Sequence, residues 1–193
     1  MSILLKLDYF ITNFLNGLFP HNIFFDYFFS FFSLKGSSIL IWILVIIGVT
    51  ILEEKKYPGI NKRDKEFIIL FSSSFLLSIL ISNFFIKNIF LRPRPSFTGL
   101  NRTQIVQQAS TCPIDFSFPS THAATALAAA TILTFFDKKR RWFYYSIAVL
   151  ISYSRIYLGC HYFFDVLAGT FIGWLISRLL LFSPDTLPFR RKK

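Results

Sequence analysis

The chain has 193 residues, 53% of them hydrophobic, with a formal net charge of +11 and a mean hydropathy of +0.52. A soluble domain of this length needs much less apolar surface, so the composition indicates a polytopic membrane protein. The charge does not indicate nucleic-acid binding, because thirteen of the 21 Lys and Arg residues flank apolar runs, in blocks at 55–65, 138–141 and 190–193.

The first 36 residues predict helices that do not clearly cross a bilayer. Residues 2–19 carry apolar side chains at helical spacing, interrupted by Lys6, Asp8 and Asn13, which is typical of an amphipathic helix. Residues 23–34 are apolar but too short to span a membrane alone. Two alternatives stay open for residues 1–36: both helices lie in the interface, or together they make one irregular sixth crossing.

Apolar segments with the length expected of spanning helices follow at residues 37–52, 67–86, 121–136, 142–158 and 162–182. The predicted fold is therefore all-α, an integral-membrane bundle of five spanning helices whose core is residues 37–183. Residues 184–193 form a basic cytoplasmic tail. With the basic blocks in the cytoplasm, the long polar cap loop 88–118 and the turn at residues 159–161 lie on the extracytoplasmic side.

A stripe at four-residue spacing opens the last predicted span: His161, Asp165, Gly169 and Gly173. The glycines predict close helix packing, whereas ionisable side chains in an apolar segment are candidates for function. One helical turn separates His161 from Asp165, so the carboxylate can hold one imidazole nitrogen and leave the other as a nucleophile or base. From this stretch alone, a salt bridge that only orients two helices is the alternative.

Three clusters of polar residues stand out in the sequence, and the last of them contains His161 and Asp165 of this stripe. The first is Lys87 with Arg94-Pro95, the second is Pro119-Ser120-Thr121-His122, and the third is Ser154-Arg155 with His161 and Asp165. In order and spacing, over about residues 85–175, they resemble the three motifs of the type 2 phosphatidic acid phosphatase superfamily. The family commonly has Gly where this chain has Thr121. Because that position is thought to offer a backbone N–H, Thr should serve.

The resemblance implies a role for each matching residue. His161 would be the nucleophile that forms a phosphohistidine, Asp165 would fix its tautomer, and His122 would protonate the leaving oxygen and then activate water. The residues expected to bind the substrate phosphate are Lys87, Arg94, Ser120, Thr121 and Arg155. We expect no metal and no other cofactor, because the protein itself supplies the positive charge.

Two Arg-Pro pairs compete for the first motif. Family spacing selects Arg94, and helical geometry supports it, since seven residues from Lys87 are about two turns. Arg92 is then expected to be solvated or to contact a lipid headgroup. At the start of the predicted helix 121–136, we expect Ser120 and Thr121 to present free backbone N–H groups to the phosphate.

The resemblance implies a lipid phosphatase of the cell membrane whose site faces the extracytoplasmic side. The short chain resembles bacterial undecaprenyl-diphosphate phosphatases, so hydrolysis of undecaprenyl diphosphate to the monophosphate is the first prediction. The alternatives are a phosphatidylglycerophosphate or phosphatidate phosphatase and, in another class, a channel or lipid transporter with a vestigial site. Vanadate-dependent haloperoxidases share the motifs but are soluble.

The expected partners are a lipid phosphate and the bilayer, without nucleic acid. The oligomeric state stays open, and so does a disulfide between Cys112 and Cys160, the only two cysteines.

Overall fold

The computed structural model describes residues 3–33, 37–54, 62–95 and 112–182, and every regular element within these ranges is helical. The elements in chain order are α1 (Ile3–Asn16), α2 (Ile23–Ser33), α3 (Ser37–Glu54), α4 (Lys62–Leu80), a π-helical turn (Ile81–Ile86), α5 (Lys87–Phe90), α6 (Thr121–Phe136), a 3₁₀ turn (Lys138–Arg140), α7 (Arg141–Tyr157) and α8 (Phe163–Phe182). Parts of the predictions lie outside the described residues, namely the cap segment 96–111, the basic residues 55–61 and the tail 184–193.

Helix boundaries follow the apolar pattern well in the second half of the chain and less well in the middle. α6 has the predicted bounds, and α7 and α8 match theirs within one residue. α4 begins at Lys62, so the predicted loop residues 62–66 are helical, and helical structure continues through α5 into the predicted cap loop. Lys, Arg and Glu are good helix formers, so a charged segment can extend a helix beyond its apolar part.

α6 is the central helix, and it packs against α4, α7 and α8. Its fully buried alanines are Ala123, Ala124, Ala126, Ala128, Ala129 and Ala130. A Cβ atom on Gly169 of α8 would overlap the backbone oxygen of Ser120, and one on Gly173 would overlap that of Ala124. The predicted close helix approach at these glycines is therefore confirmed.

α1 turns its polar face towards the protein. The Asn16 amide donates to the backbone oxygens of Ile156 at 3.0 Å and Tyr157 at 2.7 Å. The hydroxyl of Thr12 accepts from the N–H of Phe163 at 2.9 Å. Large apolar side chains of the same helix are exposed: Ile3, Leu4, Phe10 and Phe14. α1 thus pairs backbone groups that the end of α7 and the start of α8 leave without intrahelical partners.

Two helical segments are long and apolar enough to cross a membrane, Lys62–Phe90 and Phe163–Phe182. Shorter apolar helical stretches lie at Ile23–Ser33, Ile39–Ile51 and Thr121–Phe136. The all-helical class is confirmed for the part of the chain that the structure describes. The number of five spans stays a prediction.

Candidate active site

The predicted site residues meet at one end of the bundle, where α5 and α7 end and α6 and α8 begin. Those with at most 5% of their surface exposed are Lys87, Arg94, Ser120, Arg155, His161 and Asp165. A buried group of three cations is costly unless anions or hydrogen-bond acceptors compensate it. The composition of this cluster therefore favours an anionic ligand.

A glycine turn places His161 next to the end of α7. Gly159 adopts a φ of +66°, which favours glycine, and its N–H donates to the backbone oxygen of Ile156 at 2.9 Å. The N–H groups of Cys160 and His161 both donate to the backbone oxygen of Arg155, at 3.0 and 3.1 Å. These bonds fix the backbone of His161 just before α8 begins.

The imidazole of His161 is oriented by Arg94, whose NH1 lies 3.0 Å from Nε2. A guanidinium only donates, so Nε2 accepts this hydrogen bond and the ring proton is on Nδ1. Burial and the charges of Arg94 and Arg155 lower the pKa of His161 well below its usual value. The lone pair of a neutral ring therefore points towards the cation cluster, as attack on a bound phosphate requires.

Asp165 lies on the other side of the same ring. Its Oδ2 is 3.6 Å from Nδ1 of His161, too far for a hydrogen bond, and Nδ1 has no hydrogen-bond partner among the described residues. Oδ2 instead accepts from the N–H of Tyr162 at 2.9 Å. The predicted tautomer-fixing hydrogen bond is therefore absent from this structure, and Arg94 sets the tautomer. Such contacts often tighten only when substrate binds.

Asp115, which sequence reasoning missed, pairs with two of the predicted phosphate-binding cations. Its Oδ2 accepts from Lys87 and its Oδ1 from Arg94. Burial alone would raise the pKa of Asp115, but the hydrogen bond from Lys87 and the charge of Arg94 outweigh burial and lower it. A single acidic residue in a long polar loop carries no sequence signal for this position.

Arg155 is held on one side only. NH1 donates to the backbone oxygen of Ser33 at 2.8 Å and also contacts its hydroxyl. Nε and NH2 of Arg155 have no hydrogen-bond partner among the described residues, and neither does the buried hydroxyl of Ser120. Buried donors without partners are rare in proteins, and the oxygens of a phosphate group would satisfy them.

The start of α6 differs from the prediction in one respect. The N–H of Ser120 donates to the backbone oxygen of Asp165 at 2.9 Å, so the prediction that this N–H is free is wrong. It is engaged because the tight packing of α6 against α8 brings the two backbones together. The hydroxyl of Thr121 donates to Oδ1 of Asn83 at 2.6 Å, a partner on the π-helical turn that the sequence did not indicate.

His122 follows in the first turn of α6, and the residue is partly buried. The positive charges of Arg155, Lys87 and Arg94 act on it. It is therefore close to the cation cluster. This position suits a group that exchanges protons with a leaving oxygen and with water.

The structure places Arg92 and Arg94, the two arginines of the first motif, differently from the prediction. α5 ends at Phe90, and Leu91 has a left-handed φ of 47°, so the helical argument for Arg94 does not apply. Arg94 nevertheless reaches the site from the irregular segment 91–94 that follows, where prolines prevent an α-helix. Arg92 is not a headgroup contact: it is 17% exposed and forms ion pairs with Asp8 at 2.6 Å and Asp165 at 2.7 Å.

These carboxylates also affect the charge of Arg92. Burial would lower the pKa of its guanidinium, but Asp165 and Asp8 hold that pKa above its usual value. Arg92 therefore stays a cation in this buried position.

A disulfide joins Cys112 to Cys160, with their Cα atoms 5.4 Å apart and a sequence separation of 48. It connects the segment that carries Asp115 to the turn that carries His161. This pairing settles the open question of the two cysteines and gives Cys160 a role beside the predicted nucleophile.

Comparison with known proteins agrees with the motif resemblance. The sequence model of the PAP2 superfamily matches residues 67–187. "Undecaprenyl-diphosphatase" of Sulfolobus acidocaldarius is 34% identical over 133 residues, 68% of this chain and 62% of that protein. "Phosphatidylglycerophosphatase B" of Bacillus subtilis is 31% identical over 172 residues, 82% of this chain and 75% of that protein.

The crystal structure of Aquifex aeolicus LpxE superimposes with a TM-score of 0.63 at 26% identity, covering 91% of this chain and 94% of that chain. The chain spans less than two thirds of the length of the Sulfolobus relative. The comparisons confirm the family, whereas the roles of the individual site residues stay predictions.

Proposed function

The chain belongs to the PAP2 superfamily, and from this premise we propose that it is an integral-membrane phosphatase that hydrolyses a lipid phosphate or diphosphate. One observation carries the proposal: beside the imidazole of His161, buried donors of Arg155 and Ser120 have no partner within the part of the chain that the structure describes. A phosphate group brings negatively charged oxygens to such donors, and it would take over Lys87 and Arg94 from Asp115.

In the first step, Lys87, Arg94 and Arg155 neutralise the phosphate oxygens, which lets a nucleophile approach phosphorus. Nε2 of His161 leaves its contact with Arg94 and attacks phosphorus, and the bond between phosphorus and the leaving oxygen breaks. His122 gives its proton to that oxygen. Asp165 stabilises the positive charge that develops on the ring of His161.

In the second step, the same residues hydrolyse the phosphohistidine. His122, now neutral, takes a proton from a water molecule whose oxygen attacks phosphorus. The N–P bond breaks, inorganic phosphate leaves, and His161 returns to its neutral form. No step in this scheme needs a divalent metal, because three protein cations supply the charge.

A membrane location is supported by the outer surface of the bundle. Large exposed apolar side chains on α4 and α8 include Ile68, Ile69, Leu76, Leu167, Phe171 and Leu179. Soluble monomers rarely expose so many, whereas lipid chains would cover them. We propose that the bundle is multi-pass, with the five predicted spans.

An extracytoplasmic active site is supported by charge and by the disulfide. Arg63, at the start of α4, donates to the backbone oxygen of Phe136, so the basic start of α4 lies beside the basic turn Lys138–Arg140. These residues are at the end of the bundle opposite the site, as the positive-inside rule expects. A disulfide at the site end suits an oxidising compartment.

We propose undecaprenyl diphosphate as the first substrate to test, because the Sulfolobus relative of that name is 34% identical. Phosphatidylglycerophosphate is the second candidate, because the relative with that name matches 82% of this chain. Both substrates present a terminal phosphate at the membrane surface, where the site would open.

The test is release of inorganic phosphate from each lipid by the purified full chain in detergent containing a metal chelator. We expect metal-independent activity that vanadate inhibits, and a loss of at least about a thousandfold in His161→Ala. Lys139→Ala, at the opposite end, should keep wild-type activity. An active His161→Ala variant would exclude the proposed nucleophile, and strict dependence on a divalent metal would contradict the scheme.

Orientation is tested separately with single introduced cysteines in intact cells. A membrane-impermeant thiol reagent should label Ile114→Cys, whose position is 94% exposed at the site end, and should not label Lys139→Cys. The reverse pattern would place the site in the cytoplasm without affecting the proposed chemistry.

A further inference from the structure

Arg92 connects two buried carboxylates that come from opposite ends of the chain. Its NH2 donates to Asp8 on α1 at 2.6 Å, and its NH1 donates to Asp165 on α8 at 2.7 Å. Asp8 is 1% exposed and Asp165 is 0% exposed. The guanidinium also lies over the ring of Tyr162, 3.9 Å from its centroid. Arg92 is therefore fixed by two ion pairs and by an aromatic face.

The second oxygen of each carboxylate is also occupied. Oδ1 of Asp8 accepts from the N–H of Phe164, and Oδ2 of Asp165 accepts from the N–H of Tyr162, both at 2.9 Å. The unit consists of two carboxylates and one guanidinium, so its formal charge is negative overall. That charge lies on the Nδ1 side of His161, 3.6 Å from the ring nitrogen.

Asp8, the second carboxylate, affects how much negative charge Asp165 presents to the ring of His161. If Arg92 paired with Asp165 alone, its positive charge would largely cancel the support that Asp165 gives to a developing imidazolium. Because Asp8 shares the guanidinium, Asp165 retains more of its negative charge towards the ring. If Arg92 were absent, two buried carboxylates would face each other, and one of them would hold a proton.

We propose that Asp8 and Arg92 are positioning residues for the reaction: Arg92 keeps Asp165 ionised and directed at His161, and Asp8 takes up part of the charge of Arg92. This inference rests on the proposed function and extends it to α1, which lies outside the residues 67–187 matched by the family. α1 would thus contribute to the active site through Asp8, in addition to covering the α7–α8 turn.

The charged and polar surroundings of Asp165 within the described residues allow a specific test. Arg92 and Asp8 face it from the segment after α5 and from α1, His161 faces it from the preceding turn, and the hydroxyl of Ser117 contributes from the loop before α6. Lys87, Arg94 and Arg155 act on His161 from the phosphate side. A change confined to Asp8 and Arg92 leaves those three cations in place.

The experiment measures kcat and KM against pH for the full chain and for Asp8→Asn, Arg92→Gln and the double variant. In Arg92→Gln we expect kcat to fall at least about tenfold near neutral pH, with KM within about threefold of wild type. The acidic limb of the pH–kcat profile, where kcat falls as the pH is lowered, should shift to higher pH by about one unit or more. The reason is that one carboxylate retains a proton. In the double variant the limb should return towards its wild-type position.

Asp8→Asn alone should lower kcat several-fold without raising the acidic limb, and Arg92→Lys should restore part of the activity lost in Arg92→Gln. Asp137→Asn, at the other end of α6, is the matched carboxylate control and should leave the profile unchanged. If Arg92→Gln does not fold, the kcat values and pH profiles of Asp8→Asn and Arg92→Lys still test whether Asp8 and Arg92 position Asp165.

Unchanged kcat and acidic limb in Asp8→Asn and Arg92→Lys would overturn the inference. So would single losses that multiply in the double variant together with an unshifted acidic limb in Arg92→Gln, because that is the result of a structural role. A wild-type chain that releases no phosphate from any lipid would overturn the proposed function and this inference with it. An active wild type with unaffected variants would overturn the inference alone.

Discussion

At the scale of single residues, Arg155 is held to the rest of the protein through one of its three nitrogens. NH1 is bound to Ser33 at the end of α2, while Nε and NH2 have no partner among the described residues. Lys at this position keeps the charge but cannot contact Ser33 and two phosphate oxygens together. A hydrogen bond to a charged group contributes about 1.5–3 kcal/mol, so Arg155→Lys should lower kcat/KM about 10- to 100-fold.

The measurement is steady-state phosphate release from the lipid that the wild type prefers. Arg178→Lys is the matched control, because Arg178 is an exposed arginine on α8 and its substitution should leave kcat/KM unchanged. Equal activity of Arg155→Lys and wild type would show that Arg155 provides charge without directed hydrogen bonds.

Asp115 binds two of the cations that we propose for the substrate phosphate. Its carboxylate accepts from both Lys87 and Arg94, so an incoming anion competes with it for the same donors. In Asp115→Asn the competing charge is gone, and vanadate should inhibit at a concentration several-fold lower. Asp137→Asn serves as the control for loss of a carboxylate. Weaker inhibition in Asp115→Asn would mean that the carboxylate organises the cations and does not compete for them.

The same residue predicts a pH dependence of stability. The folded protein lowers the pKa of Asp115, so its ion pairs stabilise the fold above the usual pKa of an aspartate, about 3.9. This contribution is lost as the pH falls through the lowered folded value. Thermal unfolding midpoints of wild type and Asp115→Asn should therefore differ near neutral pH and converge in acid. A difference that grows in acid would contradict this sign.

At the scale of elements, the contact between α6 and α8 depends on two glycines. A Cβ atom on Gly169 or Gly173 would overlap a backbone oxygen of Ser120 or Ala124, and backbone cannot move aside as a flexible side chain can. Gly169→Ala and Gly173→Ala should each lower the free energy of unfolding by about 1–3 kcal/mol. The thermal unfolding midpoint in detergent measures this loss.

Gly48 provides the control for the same substitution, because a Cβ atom there has no neighbour within 4 Å among the described residues. Alanine favours the helix over glycine by up to about 1 kcal/mol, so Gly48→Ala should leave the midpoint unchanged or raise it. Equal destabilisation at Gly48 and Gly173 would show that close packing of α6 and α8 is not the cause.

At the scale of the whole molecule, the disulfide joins the loop before α6 to the turn between α7 and α8. Cys112 and Cys160 are 48 residues apart in sequence, and the linked segments carry Asp115 and His161. Reduction should remove about 2–4 kcal/mol of stability and lower the unfolding midpoint, because the unfolded chain is then less constrained. Activity should fall as well, since Arg94 contacts both linked segments.

The measurement compares midpoints and activity with and without reductant. Cys160→Ser should have a low midpoint that reductant does not change, which separates loss of the disulfide from other effects of the reagent. A wild-type midpoint that does not move after both thiols have been titrated would contradict a stabilising role.

The amino-acid sequence by itself determined the helical class, most helix bounds and the motif residues. Helices are visible because the apolar runs are local, and α6 could be delimited to the residue. The motif residues are visible because phosphate chemistry needs cations and histidines at set spacings, as in Lys87, Arg94, Arg155 and His161. Asp8 also carried a local signal, as an acid within an apolar helix, although its partner was not predictable.

Only the tertiary structure decided the partners of those residues. Arg92 and Asp8 are 84 residues apart, and Arg155 and Ser33 are 122 apart, so no periodicity within one segment indicates that they meet. The sequence assigned Arg92 to the membrane surface because a lone arginine is usually solvated. The fold buries it between two carboxylates, because packing of α1 against α8 brings both acids to one point and a buried charge requires a partner.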